Sequence, residues 1–281
     1  MADIGRLKTA AVRAEEPDAA AVASAIRPAP EPPLVFVESL EVRFGGFRAL
    51  RGVDFTLRRG ELRFLIGPNG AGKTTLLDVL CGKTRPSAGR VRFKGAIDLA
   101  KLQEHEIAAL GIGRKFQSPS IFAELTVWEN IEIALKQPRG VRHALSARLS
   151  AEQRDRIARI LERVGLADKP RVRGGTLSHG EKQWLEIGML LAQDPELLLL
   201  DEPVAGMTDA ETERTAELLR DIATDHTVLV VEHDMAFVRA CAQTVTVMHE
   251  AAVLCEGSVA DVQNDERVAE VYLGRRADPH A

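Results

Sequence analysis

Short runs rich in β-branched and aromatic residues follow one another from residue 34 onward. They cover 34–42, 53–57 and 61–66, and charged or glycine-containing turns close each of them. Such runs are typical of β-strands. We expect several antiparallel strands at the start of the ordered domain.

After Gly67 the pattern alternates between helical periodicity and short apolar runs. A helical run covers 74–80, and apolar runs cover 197–200 and 227–231. Strands that alternate with helices indicate a parallel α/β core.

A charge-rich stretch between about 125 and 175 has a mostly helical pattern. Within it Ile157, Ile160 and Leu161 recur at the spacing of one helix face. We expect a helical subdomain inserted into the core, with bounds of about 120–190.

The ends of the chain differ in composition from the rest. Residues 1–33 are rich in Ala and Pro and have no clean apolar periodicity, which predicts a disordered tail. A start codon assigned too far upstream explains this segment equally well. A signal peptide is not expected, because acidic residues precede its short apolar run. The ordered domain is predicted at 34–274, with a second tail at 275–281.

Composition narrows the class of protein. The 281 residues are 45% hydrophobic and 28% charged, with a net charge of −4, which argues against a general nucleic-acid binder. Cys81, Cys241 and Cys255 form no CxxC pair, so neither a disulfide framework nor a zinc site is expected, and a reducing cytoplasm fits best. No apolar run approaches the roughly 20 residues that cross a bilayer. A membrane role would therefore act through a partner.

A phosphate-binding motif follows the run at 61–66 directly. Its residues match GxxxxGK[ST]: Gly67, Pro68, Asn69, Gly70, Ala71, Gly72, Lys73 and Thr74. The glycines allow backbone N–H groups to turn toward phosphate oxygens at a helix N-terminus. We expect Lys73 to reach the β- and γ-phosphates, Thr74 to offer its hydroxyl to Mg²⁺, and Thr75 to join the binding set. The alternative is an ordinary glycine turn.

Two carboxylates end the apolar run at 197–200. Open α/β sheets bind ligands at the carboxyl ends of their strands. We expect Asp201 to hold Mg²⁺ and Glu202 to polarise the water that attacks the γ-phosphate. Taken alone, the same residues would fit a core strand that leaves the interior.

The segment Leu177-Ser178-His179-Gly180-Glu181 precedes a helical pattern. By itself it reads as a helix N-cap. Together with the loop upstream and the acidic strand downstream it resembles the LSGGQ signature of ABC ATPases. The resemblance covers about 34–274, and the order of the motifs is more specific than any one of them.

The resemblance implies a P-loop NTPase fold of the ABC type, α/β in class, with a RecA-like parallel-sheet core, an antiparallel β subdomain and an inserted helical subdomain. It further implies that Phe44 stacks on adenine, that Gln117 meets Mg²⁺ and the attacking water, and that His233 contacts the γ-phosphate. Ser178 and Gly180 would bind nucleotide. The plain alternatives are that Phe44 packs in the core as a strand residue, that Gln117 lies in a surface loop, and that His233 has a structural role.

Departures from the family pattern narrow the resemblance. His179 replaces a signature glycine, Glu181 its glutamine, and Thr208 the usual aspartate of the D-loop at 205–208. The strings LSHGEKQWLEIGMLL, DEPVAGMTDAET and VVEHDM resemble ATP-binding subunits of branched-chain amino acid and urea importers. The first string, with GRKFQSPSIF, is most similar to the urea type, so urea is the expected cargo. Branched-chain or polar amino acids and short amides are the alternatives.

The family geometry implies a particular assembly. Two ATP-binding subunits would meet head to tail around ATP and Mg²⁺, and the second would be a different chain. Two membrane permeases and, indirectly, a periplasmic solute-binding protein would complete the importer, at the cytoplasmic face of the inner membrane. The isolated chain would be a monomer or a homodimer, without nucleic acid.

Two other classes of protein compete with the importer. A soluble ABC ATPase of translation or DNA repair would carry two cassettes, long coiled coils or zinc-binding cysteines. A catalytically idle module would have lost Glu202 or His233, and both are present.

Overall fold

The computed structural model describes residues 32–115, 120–136 and 149–273. For residues 272 and 273 it describes the backbone alone. Its strands are β1 (Val35–Phe44), β2 (Phe47–Leu57), β3 (Leu62–Ile66), β4 (Ala88–Phe93), β5 (Ile97–Asp98), β6 (Ile112–Lys115), β7 (Leu197–Asp201), β8 (Thr227–Val231), β9 (Thr244–His249) and β10 (Ala252–Gly257).

The helices are α1 (Lys73–Leu80), α2 (Glu104–Ala109), α3 (Val127–Ala134), α4 (Ala151–Arg163), α5 (His179–Leu191), α6 (Asp209–Ile222), α7 (Met235–Cys241), α8 (Val259–Gln263) and α9 (Glu266–Leu273). Short 3₁₀ turns occupy Leu99–Lys101 and Gly174–Thr176. Many of the helices begin with a capping box. The hydroxyl of a Ser or Thr accepts the backbone N–H of the third residue after it, and the side chain of that third residue accepts the backbone N–H of the Ser or Thr. The capping residues of this kind are Thr126, Ser150, Ser178, Thr208 and Ser258.

Two sheets form the framework. One is antiparallel in the order β2-β1-β4-β5, and the other has six strands in the order β10-β9-β3-β8-β7-β6. Within the second, the pairs β9-β3, β3-β8, β8-β7 and β7-β6 are parallel. The predicted α/β core and the antiparallel strands at 34–42 and 53–57 are confirmed.

One expectation about the sheets was wrong. The run at 61–66 belongs to the central sheet and not to the antiparallel group, because β3 pairs in parallel with β8 and β9. The parallel core also has an antiparallel strand at one side, because β10 folds back on β9. The turn between them has Glu250 and Ala251 at positive φ, the geometry of a tight hairpin without its usual Asn-Gly signal.

The central sheet is buried on both faces. Alternate residues of β3 point into different apolar clusters: Phe64 lies in the cluster that contains Ile131 and Leu185 of the helices, and Leu65 lies with Leu76 of α1 and the antiparallel sheet. Strands covered on both sides read as continuous apolar runs, which is the pattern of 197–200.

The predicted helical subdomain contains α3, α4 and most of α5, and its delimitation remains a prediction. Residues 1–31 of the predicted tail, and all of 275–281, lie outside the described residues. None of the described helices is both long and apolar enough to cross a bilayer.

A buried ion pair joins the central sheet to α5. The Lys115 side chain, at the end of β6, is fully buried, and its Nζ lies 3.6 Å from Oε2 of Glu186. The other oxygen of Glu186 accepts the N–H of Ser120 at 3.1 Å. Burial lowers the pKa of Lys115 and raises the pKa of Glu186, while each charge opposes the shift of the other. One carboxylate thus holds residues on both sides of the segment 116–119.

Replacing one member of this pair is expected to destabilise the fold strongly. Lys115→Met should lower the free energy of unfolding by about 3–5 kcal/mol, because the Glu186 charge would stay buried without its cation. The double variant Lys115→Met/Glu186→Leu should recover part of that loss, because it removes the unpaired charge but also the acceptor of the Ser120 N–H. Urea unfolding measures both.

The matched control is Arg90→Met, which breaks an exposed pair with Glu38 at 3.2 Å. It should cost less than about 1 kcal/mol. A loss of that small size in Lys115→Met would show that the buried pair does not stabilise the junction.

Candidate active site

The phosphate-binding loop connects the end of β3 to the start of α1. Gly67, Gly70 and Gly72 all have positive φ. A Cβ on Gly67 would lie 2.1 Å from the carbonyl oxygen of Met248, and one on Gly72 would lie 2.8 Å from that of Ala49. These two positions therefore require glycine both for conformation and for space.

Lys73, the first residue of α1, is folded over this loop. Its ammonium donates to the carbonyl oxygens of Gly67 at 2.6 Å and Pro68 at 3.0 Å. Burial lowers the pKa of Lys73, and the carboxylates of Glu202 and Asp201 oppose that shift. The loop thus combines an ammonium with the free N–H groups of a helix N-terminus, which is an arrangement suited to phosphate.

A cavity of about 260 Å³ opens above the loop. It is lined by Phe47, Ala49, Asn69, Gly70, Ala71, Gly72, Lys73, Thr74, Thr75, Glu202 and Val231. Most of the predicted phosphate-binding residues therefore face the same space as Glu202. Gly67 and Pro68 lie beneath it and hold Lys73 through their carbonyls.

Two aromatic side chains flank the turn between β1 and β2. Phe44 is 54% exposed and Phe47 is 63% exposed, and their Cα atoms pair across the turn. Only Phe47 is among the described residues that line the cavity. Stacking of Phe44 on adenine stays a prediction. The sequence reasoning did not single out Phe47, although an aromatic in the same turn was the available signal.

Asp201 ends β7 in a buried position. Its Oδ2 lies 3.6 Å from Nη2 of Arg114, and among the described atoms its Oδ1 has no hydrogen-bond partner. Burial raises the pKa of Asp201, and Arg114 opposes the shift. A buried carboxylate oxygen without a partner fits a ligand of a hard cation such as Mg²⁺. Arg114 was not singled out from the sequence.

Within the described ranges no three His, Cys, Asp or Glu side chains cluster as a metal site. A cation held by Asp201 and the Thr74 hydroxyl would take its other ligands from phosphate oxygens, from water and from Gln117, the further ligand that the family resemblance implies. This is the usual manner in which Mg²⁺ binds beside a nucleotide.

Glu202 and His233 come together where β7 and β8 end. Nδ1 of His233 lies 3.3 Å from Oε1 of Glu202, and the N–H of Glu202 donates to the carbonyl of Val231 at 2.9 Å. Glu202 has a φ of 48°, a left-handed conformation that costs a non-glycine residue about 1–3 kcal/mol. This places a carboxylate and an imidazole side by side near the cavity.

Glu232 is a further carboxylate at this edge of the sheet. It is 1% exposed, and it accepts the N–H groups of Val204, His233 and Asp234. Burial raises its pKa, and these hydrogen bonds oppose the shift. Sequence reasoning missed it, although an acid at the end of an apolar run was the signal used for Asp201.

The signature segment lies against the N-terminus of α6. The hydroxyl of Ser178 donates to Oε1 of Glu211 at 3.3 Å, and a Cβ on Gly180 would lie 2.5 Å from that oxygen. Nε2 of His179 lies 2.9 Å from the carbonyl oxygen of Ala205. Ser178 is absent from the described lining of the cavity above the loop. The structure therefore does not bring Ser178 to the phosphate loop of its own chain.

Gln117 lies outside the described residues, so its predicted contact with Mg²⁺ and water has no structural counterpart here.

Comparison with known proteins agrees with this geometry. A family model described as "ABC transporter" matches residues 50–205, and one described as "Branched-chain amino acid ATP-binding cassette transporter" matches 252–278. The chain is 36% identical over 251 residues to the high-affinity branched-chain amino acid transport ATP-binding protein LivG of Salmonella typhimurium, with 86% of this chain and 98% of that protein covered. Over the same length and coverage it is 33% identical to BraF of Pseudomonas aeruginosa, described in the same words.

Solved structures resemble the fold closely. A nucleotide-free ATP-binding cassette from an ABC transporter has a TM-score of 0.74 at 28% identity, covering 86% of this chain and 99% of that one. The ADP conformation of MJ1267, an ATP-binding cassette of an ABC transporter, gives the same values.

Removal of the Lys73 ammonium should weaken nucleotide binding. Lys73→Ala is expected to raise the Kd for ATP by about 10- to 100-fold, since a hydrogen bond to a charged group contributes about 1.5–3 kcal/mol. Isothermal titration calorimetry measures this. Lys101→Ala, at a lysine whose side chain is 81% exposed, is the control and should bind as the parent does. Equal affinity in both variants would contradict the assignment.

Proposed function

This chain belongs to the ABC transporter family, as an ATP-hydrolysing subunit of the branched-chain amino acid type, and we propose that it powers a membrane importer of branched-chain amino acids. The match to LivG and BraF over nearly their whole length supports the family of importer. The second family model supports it independently, because it matches the C-terminal part of the chain.

The contact between Glu202 and His233 beside the Lys73 cavity carries the proposed mechanism. Lys73 and the loop N–H groups bind the β- and γ-phosphates of ATP. Mg²⁺, held by Thr74 and Asp201, would neutralise phosphate charge when bound. Glu202 orients the attacking water, and His233 donates a hydrogen bond at the γ-phosphate. Gln117 would assist at the same water.

The position of Ser178 supports a two-subunit site. Because Ser178 lies with Glu211 and not in its own chain's cavity, its helix N-terminus is available to the ATP of a second subunit. We infer that this second subunit is a different ATP-binding chain. Two permeases and a solute-binding protein complete the importer, with this chain bound peripherally at the cytoplasmic face.

The identity of the transported solute is the most specific part of the proposal. The sequence resemblance favoured urea, and neither relative named above is described as a urea transporter. Branched-chain amino acids are therefore the better supported cargo, and urea is the competitor in the transport assay.

Loss of the Glu202 carboxylate should separate binding from turnover. Glu202→Gln is expected to lower kcat by at least about 100-fold, as removal of a water-positioning base does, with the Kd for ATP changed less than twofold. Steady-state phosphate release and calorimetry measure the two quantities. Glu217→Gln, at an exposed position of α6, is the control. Ordinary hydrolysis in Glu202→Gln, with contaminating ATPases removed, would refute the role.

The whole complex tests the cargo. Purified with its permeases and reconstituted in liposomes, it should take up radiolabelled leucine and show leucine-dependent ATP hydrolysis when its binding protein is added. The same complex with Glu202→Gln should do neither. Uptake of urea but not of leucine would overturn the amino-acid assignment. Stimulation of ATP hydrolysis by RNA or DNA alone would favour a soluble ABC ATPase.

A further inference from the structure

Two tight turns lie side by side at the edge of the central sheet. One follows β7 and contains Glu202 and Val204, and the other follows β8 and contains His233 and Asp234. The backbone joins them at one point, where the N–H of Glu202 donates to the carbonyl of Val231. That single bond fixes the start of the first turn but leaves its later residues to other contacts.

The side chain of Glu232 supplies the second connection. Its Oε1 accepts the N–H of Val204 at 3.4 Å, and its Oε2 accepts those of His233 at 3.0 Å and Asp234 at 3.4 Å. The carboxylate is 1% exposed, so water does not compete for these bonds. One buried group therefore ties together the two turns that carry Glu202 and His233.

The chemistry of the acceptor matters here. Three N–H donors converge on two oxygens, and an ionised carboxylate accepts at both atoms without presenting a hydrogen to any donor. An amide would present an NH₂ group to one of the donors. Because Oε2 serves two donors and Oε1 serves one, the amide nitrogen would be placed against Val204.

Glu202 needs such support. It holds a φ of 48° while its side chain reaches His233 at 3.3 Å. Left-handed conformations of non-glycine residues persist only where the surroundings over-determine them. A turn anchored at both Glu202 and Val204 meets that condition.

We infer that Glu232 is a positioning residue for ATP hydrolysis, which holds the turn after β7 against the turn after β8 so that Glu202 and His233 meet in the reactive arrangement. The inference rests on the roles proposed for those two residues. Glu232 itself contacts neither nucleotide nor water in this scheme.

The test uses Glu232→Gln and Glu232→Asp in the full chain. In Glu232→Gln the amide oxygen can still accept the N–H groups of His233 and Asp234. In Glu232→Asp the shorter carboxylate can still accept the N–H of Asp234, two residues further along the chain. Both variants should lose the bond to Val204. We expect kcat to fall by about 10- to 100-fold in each, as misplacement of a reacting group by about 1 Å does, while the Kd for ATP changes less than twofold.

Amide hydrogen exchange supplies a readout that turnover does not. The Val204 amide should exchange faster in both variants than in the parent, whereas amides of the central strands should be unchanged. Glu106→Gln is the matched control, because Glu106 accepts the N–H of Gln103 at 2.8 Å in a helix cap remote from the site. It should keep the parent kcat and the parent Val204 exchange rate.

Each result decides the inference. A kcat within twofold of the parent, with a faster Val204 amide, would overturn it, because the bridge would be dispensable for the chemistry. A loss of kcat that only follows the unfolded fraction, and that cooling restores, would make Glu232 a stability residue alone. Ordinary turnover in Glu202→Gln would instead reject the proposed roles of the reactive pair, and the exchange result for Val204 would still stand.

Discussion

The parallel register of β3, β8 and β7 is the constraint on which the site depends. Leu65 pairs with Val231, and Val231 pairs with Asp201, so the three strands end at one level. The phosphate loop, Glu202 and His233 each follow one of these ends. A slip of one residue in either pairing would turn a reactive side chain to the opposite face of the sheet. The apolar clusters on both faces oppose such a slip, because it would move side chains that are packed in one cluster to the other face of the sheet.

Several charged side chains are buried near this end of the central sheet. Lys73, Lys115 and Glu232 are buried, and each is met by carbonyls, an opposite charge or N–H groups. Buried charges without such compensation cost several kcal/mol. Oδ1 of Asp201 stands apart, because no described atom hydrogen-bonds to it. The protein thus offers an acceptor that a bound cation would complete, in line with the Mg²⁺ role proposed for this residue.

The unusual signature is accommodated by its neighbours. His179 stands where the family has glycine, and its ring turns toward the carbonyl of Ala205, beside Gly206. The helix N-terminus keeps its close approach to Glu211 through Gly180, where a Cβ would collide. The substitution therefore places an imidazole between the signature and the D-loop.

The sequence by itself determined the elements whose signals are local. The glycine spacing before Lys73 specified the loop, and the unbroken leucines before Asp201 specified a strand covered on both faces. Tertiary structure alone decided which distant groups meet: Arg114 beside Asp201, and Val204 bound to a side chain 28 positions away. The β9-β10 hairpin also escaped prediction, because its turn lacks the usual residues. Local conformation is encoded in consecutive residues, whereas these contacts depend on register and packing between strands far apart in the chain.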